Sequence, residues 1–180
     1  MEVREALKKR RSIRKFTETP VFEKQIEELL HAAMSGPSAC NRTPWEFYVV
    51  TDKKILEELQ GASMFSKVKA PLAIIVCGNL LRALPGKLVN YWIQDCSAAT
   101  ENIVLAATEM ELGCVWCGIY PQERAEERVT AILGLPEKQI PLNIIYIGHL
   151  DEKLEGRDQY QRKSTLYKVK LRTNFKKGFL

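Results

Sequence analysis

Four short apolar runs that alternate with segments of helical periodicity constrain the fold of this chain most strongly. The runs are rich in β-branched and aromatic side chains, which favour strands, and they cover residues 47–50, 72–77, 114–119 and 142–147. Apolar residues at helical spacing mark five further segments, which cover residues 2–9, 22–34, 52–59, 91–112 and 122–133. The order α-α-β-α-β-α-β-α-β, followed by a tail, predicts a layered α/β or α+β fold.

The longest helical segment, residues 91–112, is apolar around most of its circumference. It also contains small side chains that let another element approach closely, namely Ala98, Ala99, Ala106 and Ala107. A helix with this pattern lies in the centre of the core, in a subunit interface, or in both. Because helices commonly finish at glycine, we expect this one to end just before Gly113.

The length of 180 residues predicts a single domain over residues 1–180, with an extended C-terminal arm from about residue 152. No apolar run reaches the roughly 18 residues that a membrane helix needs. The N-terminus carries charge without an apolar segment behind it, which indicates no secretory signal. We therefore expect a cytoplasmic protein without a membrane partner.

The chain contains five cysteines, which we expect to be free thiols in that compartment. Cys114 and Cys117 have the C-x-x-C spacing of a zinc or redox pair. They lie in a predicted strand, where positions three apart point to opposite faces, and neither His31 nor His149 has ligand spacing to them. The pattern therefore predicts buried structural cysteines, structural or surface histidines, and no metal site.

The basic run, residues 8–15, contains six cations and no acidic residue. Residues 161–180 carry seven more cations without an acid, so the rest of the chain is net acidic. Guanidinium groups and a hydroxyl such as that of Ser12 are good ligands for phosphate oxygens. Charge alone leaves open a solvated face, a small phosphate site or a nucleic-acid site. Because neither G-x-G-x-x-G nor a P-loop is present, the side chains of the basic run are the better phosphate ligands.

The 37–45 loop, residues 37–45, is rich in loop-forming and short polar residues between a predicted helix and a predicted strand. Loops held by rigid elements often carry binding groups. Asn41 offers both a donor and an acceptor, which suits the edge of a heterocycle. An ordinary helix-to-strand connection would have the same composition.

Taken together, RRSIRKF at residues 10–16 and PSACNRTPW at residues 37–45 resemble the FMN-dependent nitroreductase family. The similarity continues in ELG at residues 111–113, in WCG at residues 116–118, and in LPE at residues 135–137 leading to Ile147 and Gly148. It covers roughly residues 4–151. The resemblance implies an α+β fold of three α-β-α layers around a central mixed sheet. It also implies a homodimer with FMN at the interface, in which the C-terminal arm adds a strand to the partner's sheet.

The resemblance assigns the cofactor-binding residues position by position. Arg10, Arg11, Ser12 and Arg14 match the FMN-binding run, with Arg10 and Ser12 on the phosphate and Arg14 at the ribityl or pyrimidine edge. In the loop that contacts the flavin from the other subunit, the matching residues are Pro37, Ser38, Ala39 and Asn41. The backbone near the flavin ring corresponds to Trp116, Cys117 and Gly118. A basic residue of the arm joins the phosphate; Arg157, Arg162 and Lys163 are candidates, and Arg162 is our choice.

The resemblance also implies the reaction. Hydride would pass from NADH or NADPH through flavin N5 to a nitroaromatic, a quinone or a similar small oxidant in a ping-pong cycle. Arg14 would stabilise negative charge on the reduced flavin, with no side-chain nucleophile and no metal. Thr43 departs from the glutamine common in the family, and the short chain leaves little sequence for a lid, which favours an open pocket.

Two classes of alternative stay open at this point. The same scaffold supports reductive dehalogenation, flavin destruction to a cobalamin precursor, and enone reduction. A non-enzymatic flavin-binding or nucleic-acid-binding protein would also use the basic ends. Few aromatic residues lie among those cations, which argues against nucleic acid as the partner.

Overall fold

The structure, a computed structural model, describes residues 1–152 and 154–156. Its helices are α1 (Val3–Lys9), α2 (Glu23–Met34), α3 (Lys53–Gln60), α4 (Tyr91–Glu109) and α5 (Glu123–Leu133). Its strands are β1 (Trp45–Val50), β2 (Leu72–Asn79), β3 (Leu112–Gly118) and β4 (Gln139–His149). This is the predicted order of elements, and the prediction of an α+β fold is confirmed.

The four strands form one sheet in the order β1-β2-β4-β3, and each neighbouring pair is antiparallel. The expected mixed sheet is therefore not what the described residues form. Their one parallel pairing is an isolated bridge between Ser12 and Cys114. The sequence pattern does not determine strand direction, because a connection that contains a helix can return the chain to either end of the sheet.

Each face of the sheet is covered by helices, so the molecule has the three predicted layers. On one face, Leu29 of α2 and Ile103 of α4 pack in a cluster with Ile145. On the other face, Leu59 of α3 and Val129 of α5 pack with residues of the same strands. This double coverage explains why β2 and β4 are apolar at nearly every position.

Helix α4 runs through the centre of the molecule, as its composition predicts. Its buried side chains contact α2 on one side and the sheet on the other. The predicted end at Gly113 is wrong. The helix ends at Glu109, Glu111 adopts a φ of 58°, and Gly113 lies inside β3. Gly113 lets the Ile13 side chain pack closely against β3, since a Cβ at this position would lie 2.8 Å from Ile13 Cγ2.

Two further helix ends have simple physical causes. The Asp52 carboxylate caps α3 by accepting hydrogen bonds from the backbone N–H groups of Lys54 (2.9 Å) and Ile55 (3.1 Å). Gly134 ends α5 with a left-handed φ of 62°.

The cysteines are free, and Cys40 alone among them is exposed. Cys114 belongs to the apolar cluster under α4 and Cys117 to the cluster on the opposite face, as predicted for a C-x-x-C pair in a strand. In the part of the chain that the structure describes, no three His, Cys, Asp or Glu residues are grouped as metal ligands would be. No helix in residues 1–152 or 154–156 is long and apolar enough to cross a membrane.

Candidate functional site

The second half of the basic run lies at the outer edge of β3, where Ser12 forms an isolated parallel bridge with Cys114. The Ile13 N–H donates to the Cys114 carbonyl at 2.9 Å, and the Ile13 side chain is buried. Further along, the Thr17 N–H donates to the His149 carbonyl at 2.9 Å. Anchored at Ile13 and Thr17, this segment lies beside Cys114, so the structure brings the basic run to the strand that contains residues 116–118.

Two glutamates contact the basic run, Glu152 through its carboxylate and Glu155 through its backbone carbonyl. The Glu152 carboxylate accepts from the backbone N–H groups of Arg14 (2.7 Å) and Lys15 (3.3 Å), and the hydrogen bond from Arg14 lowers the pKa of that carboxyl group. Arg11 donates through its guanidinium to the Glu155 carbonyl.

The two arginines assigned to the phosphate and the flavin edge are held loosely. Arg10 Nε lies 4.0 Å from Glu101 Oε1, with both side chains partly exposed. Arg14 Nη1 donates to the Ser12 carbonyl at 3.4 Å. Such contacts are weak in solvent, so both guanidinium groups remain able to bind an anion.

The end of β3 provides an open surface beside these cations. Trp116 is 39% exposed, and a Cβ at Gly118 would meet no atom within 4 Å. The Cys117 thiol points away from this surface and donates to the Phe65 carbonyl at 3.1 Å. Burial raises the pKa of Cys117 to about 11, and the nearby Arg14 guanidinium opposes that rise. A flat ring with an anionic tail fits an open surface of this kind next to cations.

The third predicted group, in the 37–45 loop, lies elsewhere in the same chain. The Ala39 N–H donates to the carboxylate of Asp95 on α4 at 2.8 Å. Arg10 reaches the same helix at Glu101, six residues or about 9 Å further along its axis. Among the described residues, no hydrogen bond or ion pair joins the 37–45 loop to the basic run. Within one chain, Pro37, Ser38, Ala39 and Asn41 are therefore not joined to these cations, and we call the basic run with the end of β3 and the 37–45 loop the two candidate half-sites.

The 37–45 loop contains three non-glycine residues in the left-handed region: Cys40 (φ 49°), Asn41 (φ 52°) and Thr43 (φ 43°). Asparagine tolerates this region, whereas a β-branched residue such as threonine rarely adopts it. Arg82 donates to the carbonyls of Thr43 and Trp45, each at 2.5 Å. The loop conformation is thus held by contacts from outside the loop.

Sequence reasoning missed the residues that hold this loop. Asp95 could have been found, because it is a carboxylate on an otherwise apolar, buried helix face. Arg82 gave no signal, since a single cation after a strand is typical of any protein surface. The arm candidates Arg157, Arg162 and Lys163 lie outside the described residues.

Comparison with known proteins gives a consistent result. The sequence model of the nitroreductase family matches residues 7–71 and 65–149 of this chain. A protein of Methanothermobacter thermautotrophicus, provisionally named NADH dehydrogenase/NAD(P)H nitroreductase, is 42% identical over 163 residues, which cover 89% of this chain and 83% of the relative.

Solved structures show the same fold. A crystal structure from Parabacteroides distasonis with the same provisional name has a TM-score of 0.87 and 35% identity, and the match covers 92% of this chain and 96% of that one. An FMN-dependent nitroreductase from Clostridium difficile has a TM-score of 0.75 and 33% identity, with 94% of this chain and 98% of that one covered.

Proposed function

Because the chain belongs to the nitroreductase family, we propose that it is an FMN-dependent oxidoreductase that uses NAD(P)H to reduce a nitroaromatic, a quinone or a similar small oxidant. The FMN dependence named for the Clostridium difficile structure supports the cofactor. FMN, when bound, supplies the hydride acceptor and donor at N5 in a ping-pong cycle. We expect the enzyme to work in the cytoplasm.

The observation that carries this proposal is the position of the basic run against the open end of β3. The Arg10 guanidinium lies close enough to Cys114, and that of Arg14 close enough to Cys117, to oppose the rise in pKa that burial causes in each thiol, which supports a shared site along β3. Arg10 and the Ser12 hydroxyl would hold the phosphate, and Arg14 would lie at the pyrimidine edge. The open space at Gly118 would accept the ring system.

The second half-site would come from a partner subunit. The 37–45 loop contacts the N-terminal half of α4 through Asp95, and Asn41 in this loop is exposed. In a homodimer this loop would contact the flavin held by the other chain's basic run. Strand β1 is an edge strand in the described residues, and Val49 on it is exposed. An unpaired edge of this kind accepts an added strand, which we assign to the partner's C-terminal arm, with Arg162 reaching the phosphate.

The chain's own residues would have simple tasks in this reaction. Arg14 would stabilise negative charge at the pyrimidine edge of the cofactor. Buried thiols and the apolar sheet would hold the backbone of residues 116–118 rigid under the ring. The described part of the chain places no lid over this surface, so it is open to oxidants of different shapes.

The experiment is an absorbance spectrum of the purified protein, followed by anaerobic addition of NADH or NADPH. We expect flavin absorbance that is bleached by the nicotinamide and restored by a nitroaromatic or a quinone. A yellow protein that neither nicotinamide bleaches would overturn the reductant. A colourless protein that takes up no added FMN would overturn the whole proposal.

A further inference from the structure

Two arginines interlock the 37–45 loop with the segment that follows β2. Arg42 donates to the carbonyl of Arg82 at 2.8 Å and reaches that of Ala83 at 3.5 Å. Arg82 in turn donates to the carbonyls of Thr43 and Trp45. We call this pair, Arg42 and Arg82, the arginine clasp.

The clasp acts on the part of the loop with the least favourable backbone conformation. Thr43 has a φ of 43°; Arg82 donates to its carbonyl, and the preceding residue, Arg42, donates to the carbonyl of Arg82. The Thr43 N–H donates to the Ser38 hydroxyl at 2.9 Å, so both polar backbone groups of this residue are held. A conformation that a threonine rarely adopts persists when its surroundings impose it in this way.

Neighbouring contacts keep the clasp itself in place. Arg82 Nη1 lies 3.5 Å from the Glu46 carboxylate, and that carboxylate also accepts from the Asn79 amide at 3.0 Å. The Asn79 N–H donates to the Pro44 carbonyl at 2.6 Å. These contacts fix the orientation of the Arg82 guanidinium. Its planar set of N–H donors can then bond to the Thr43 and Trp45 carbonyls at the same time.

We propose that Arg42 and Arg82 are positioning residues of the flavin site: by imposing the left-handed conformation at Thr43, they aim Asn41 at the cofactor of the partner subunit. The consequence for FMN rests on the proposed function. The conformational part, that the clasp sets the loop, stands independently of it.

The test compares Arg82→Ala with Lys87→Ala, which removes an exposed cation from the same connection between β2 and α4. The loop is followed in flavin-free protein through Cys40, the one exposed cysteine. We expect Arg82→Ala to raise the rate of Cys40 labelling by a thiol reagent, and Lys87→Ala to leave it unchanged. FMN affinity should fall by about tenfold in the first variant only, as for the loss of one charge-assisted hydrogen bond.

A second substitution in the Arg82→Ala background shows whether Arg82 positions the loop or only stabilises β1. Glycine adopts a positive φ without strain, so Thr43→Gly in the Arg82→Ala background should restore most of the FMN affinity and slow Cys40 labelling again. If Arg82 only stabilised the strand, Thr43→Gly would restore neither. Should Arg82→Ala fail to fold, Arg42→Ala carries the same expectations, since it removes the other half of the clasp.

The outcomes distinguish the two proposals. Wild-type protein that binds no FMN, together with an Arg82-dependent labelling rate, would overturn the proposed function and support the conformational part. FMN binding and Cys40 labelling that are both unaffected by Arg82→Ala and by Arg42→Ala would overturn the clasp and leave the proposed function standing.

Discussion

Adjacent cations in the basic run differ in what they can reach. Arg14 bonds to the Ser12 carbonyl and lies close enough to Cys117 to influence its pKa, whereas the Lys15 side chain makes no hydrogen bond or ion pair among the described residues. Arg14→Ala should therefore weaken FMN binding about tenfold to a hundredfold, the effect of losing a charge-assisted hydrogen bond. Lys15→Ala should leave it nearly unchanged. The measurement is FMN affinity by quenching of flavin fluorescence.

Lys15→Ala is the matched control, because both side chains are exposed and both backbone N–H groups bond to Glu152. Equal flavin occupancy in the two purified variants would refute the assignment of Arg14 to the cofactor.

The buried thiols predict a loss of stability at alkaline pH. Burial raises the pKa of Cys96 and of Cys114, each to about 12. In the unfolded chain a thiol loses its proton near pH 8.5, so above that pH deprotonation favours the unfolded state until the folded pKa is reached. Each such thiol should lower the free energy of unfolding by up to about 1.4 kcal/mol per pH unit from about pH 9 upward.

Denaturant melts between pH 8 and 10.5 measure this slope. Cys96→Ala should make it shallower by one thiol's contribution, and Cys40→Ser, which removes an exposed thiol, should not change it. Identical slopes for the wild type and Cys96→Ala would show that these thiols do not control alkaline stability.

At the scale of the element, the basic run depends on how closely it approaches β3. The ideal Cβ at Gly113 lies 2.8 Å from Ile13 Cγ2 and 3.0 Å from Ile13 Cβ. Gly113→Ala should therefore push the run away from the strand, cost about 1–3 kcal/mol of stability, and weaken FMN binding together with it. Thermal melts and an FMN titration on the same sample check both effects.

A second substitution tests whether the contact is the cause. Ile13→Ala removes Cγ2 and Cγ1, two of the three atoms that crowd the new Cβ, so the double variant should lose less stability and FMN affinity than the sum of the two single variants. Strictly additive losses would place the damage elsewhere in β3.

The sequence predicted the elements well and their geometry less well, for physical reasons. Periodicity located the five α-helices and four strands of the described chain, because the apolar residues follow the faces that each element buries. The prediction that α4 ends at Gly113 was wrong because a glycine after a helical segment often marks its end, whereas this glycine leaves room for the Ile13 side chain. The antiparallel sheet and the arginine clasp depend on contacts between segments distant in sequence, which no local pattern records.

At the scale of the whole molecule, α4 separates the two half-sites within one chain. The basic run contacts it through Glu101 and the 37–45 loop through Asp95, on opposite sides of its middle. The proposed dimer, in which each site combines the basic run of one chain with the 37–45 loop of the other, is therefore testable by complementation.

Complementation compares two heterodimers that carry the same two substitutions, Arg14→Ala in the basic run and Asn41→Asp in the 37–45 loop. Asn41→Asp suits the left-handed backbone, at a φ of 52°, and removes the amide donor.

With the substitutions on different chains, one site per heterodimer has an intact run facing an intact loop, and the other site has both defects. With both on one chain opposite a wild-type chain, every site has one defect. We expect the first heterodimer to bind one FMN with wild-type affinity and to show about half the wild-type activity, and the second to show neither. The reverse result would mean that each chain builds its site alone, because the wild-type chain would then carry the one intact site.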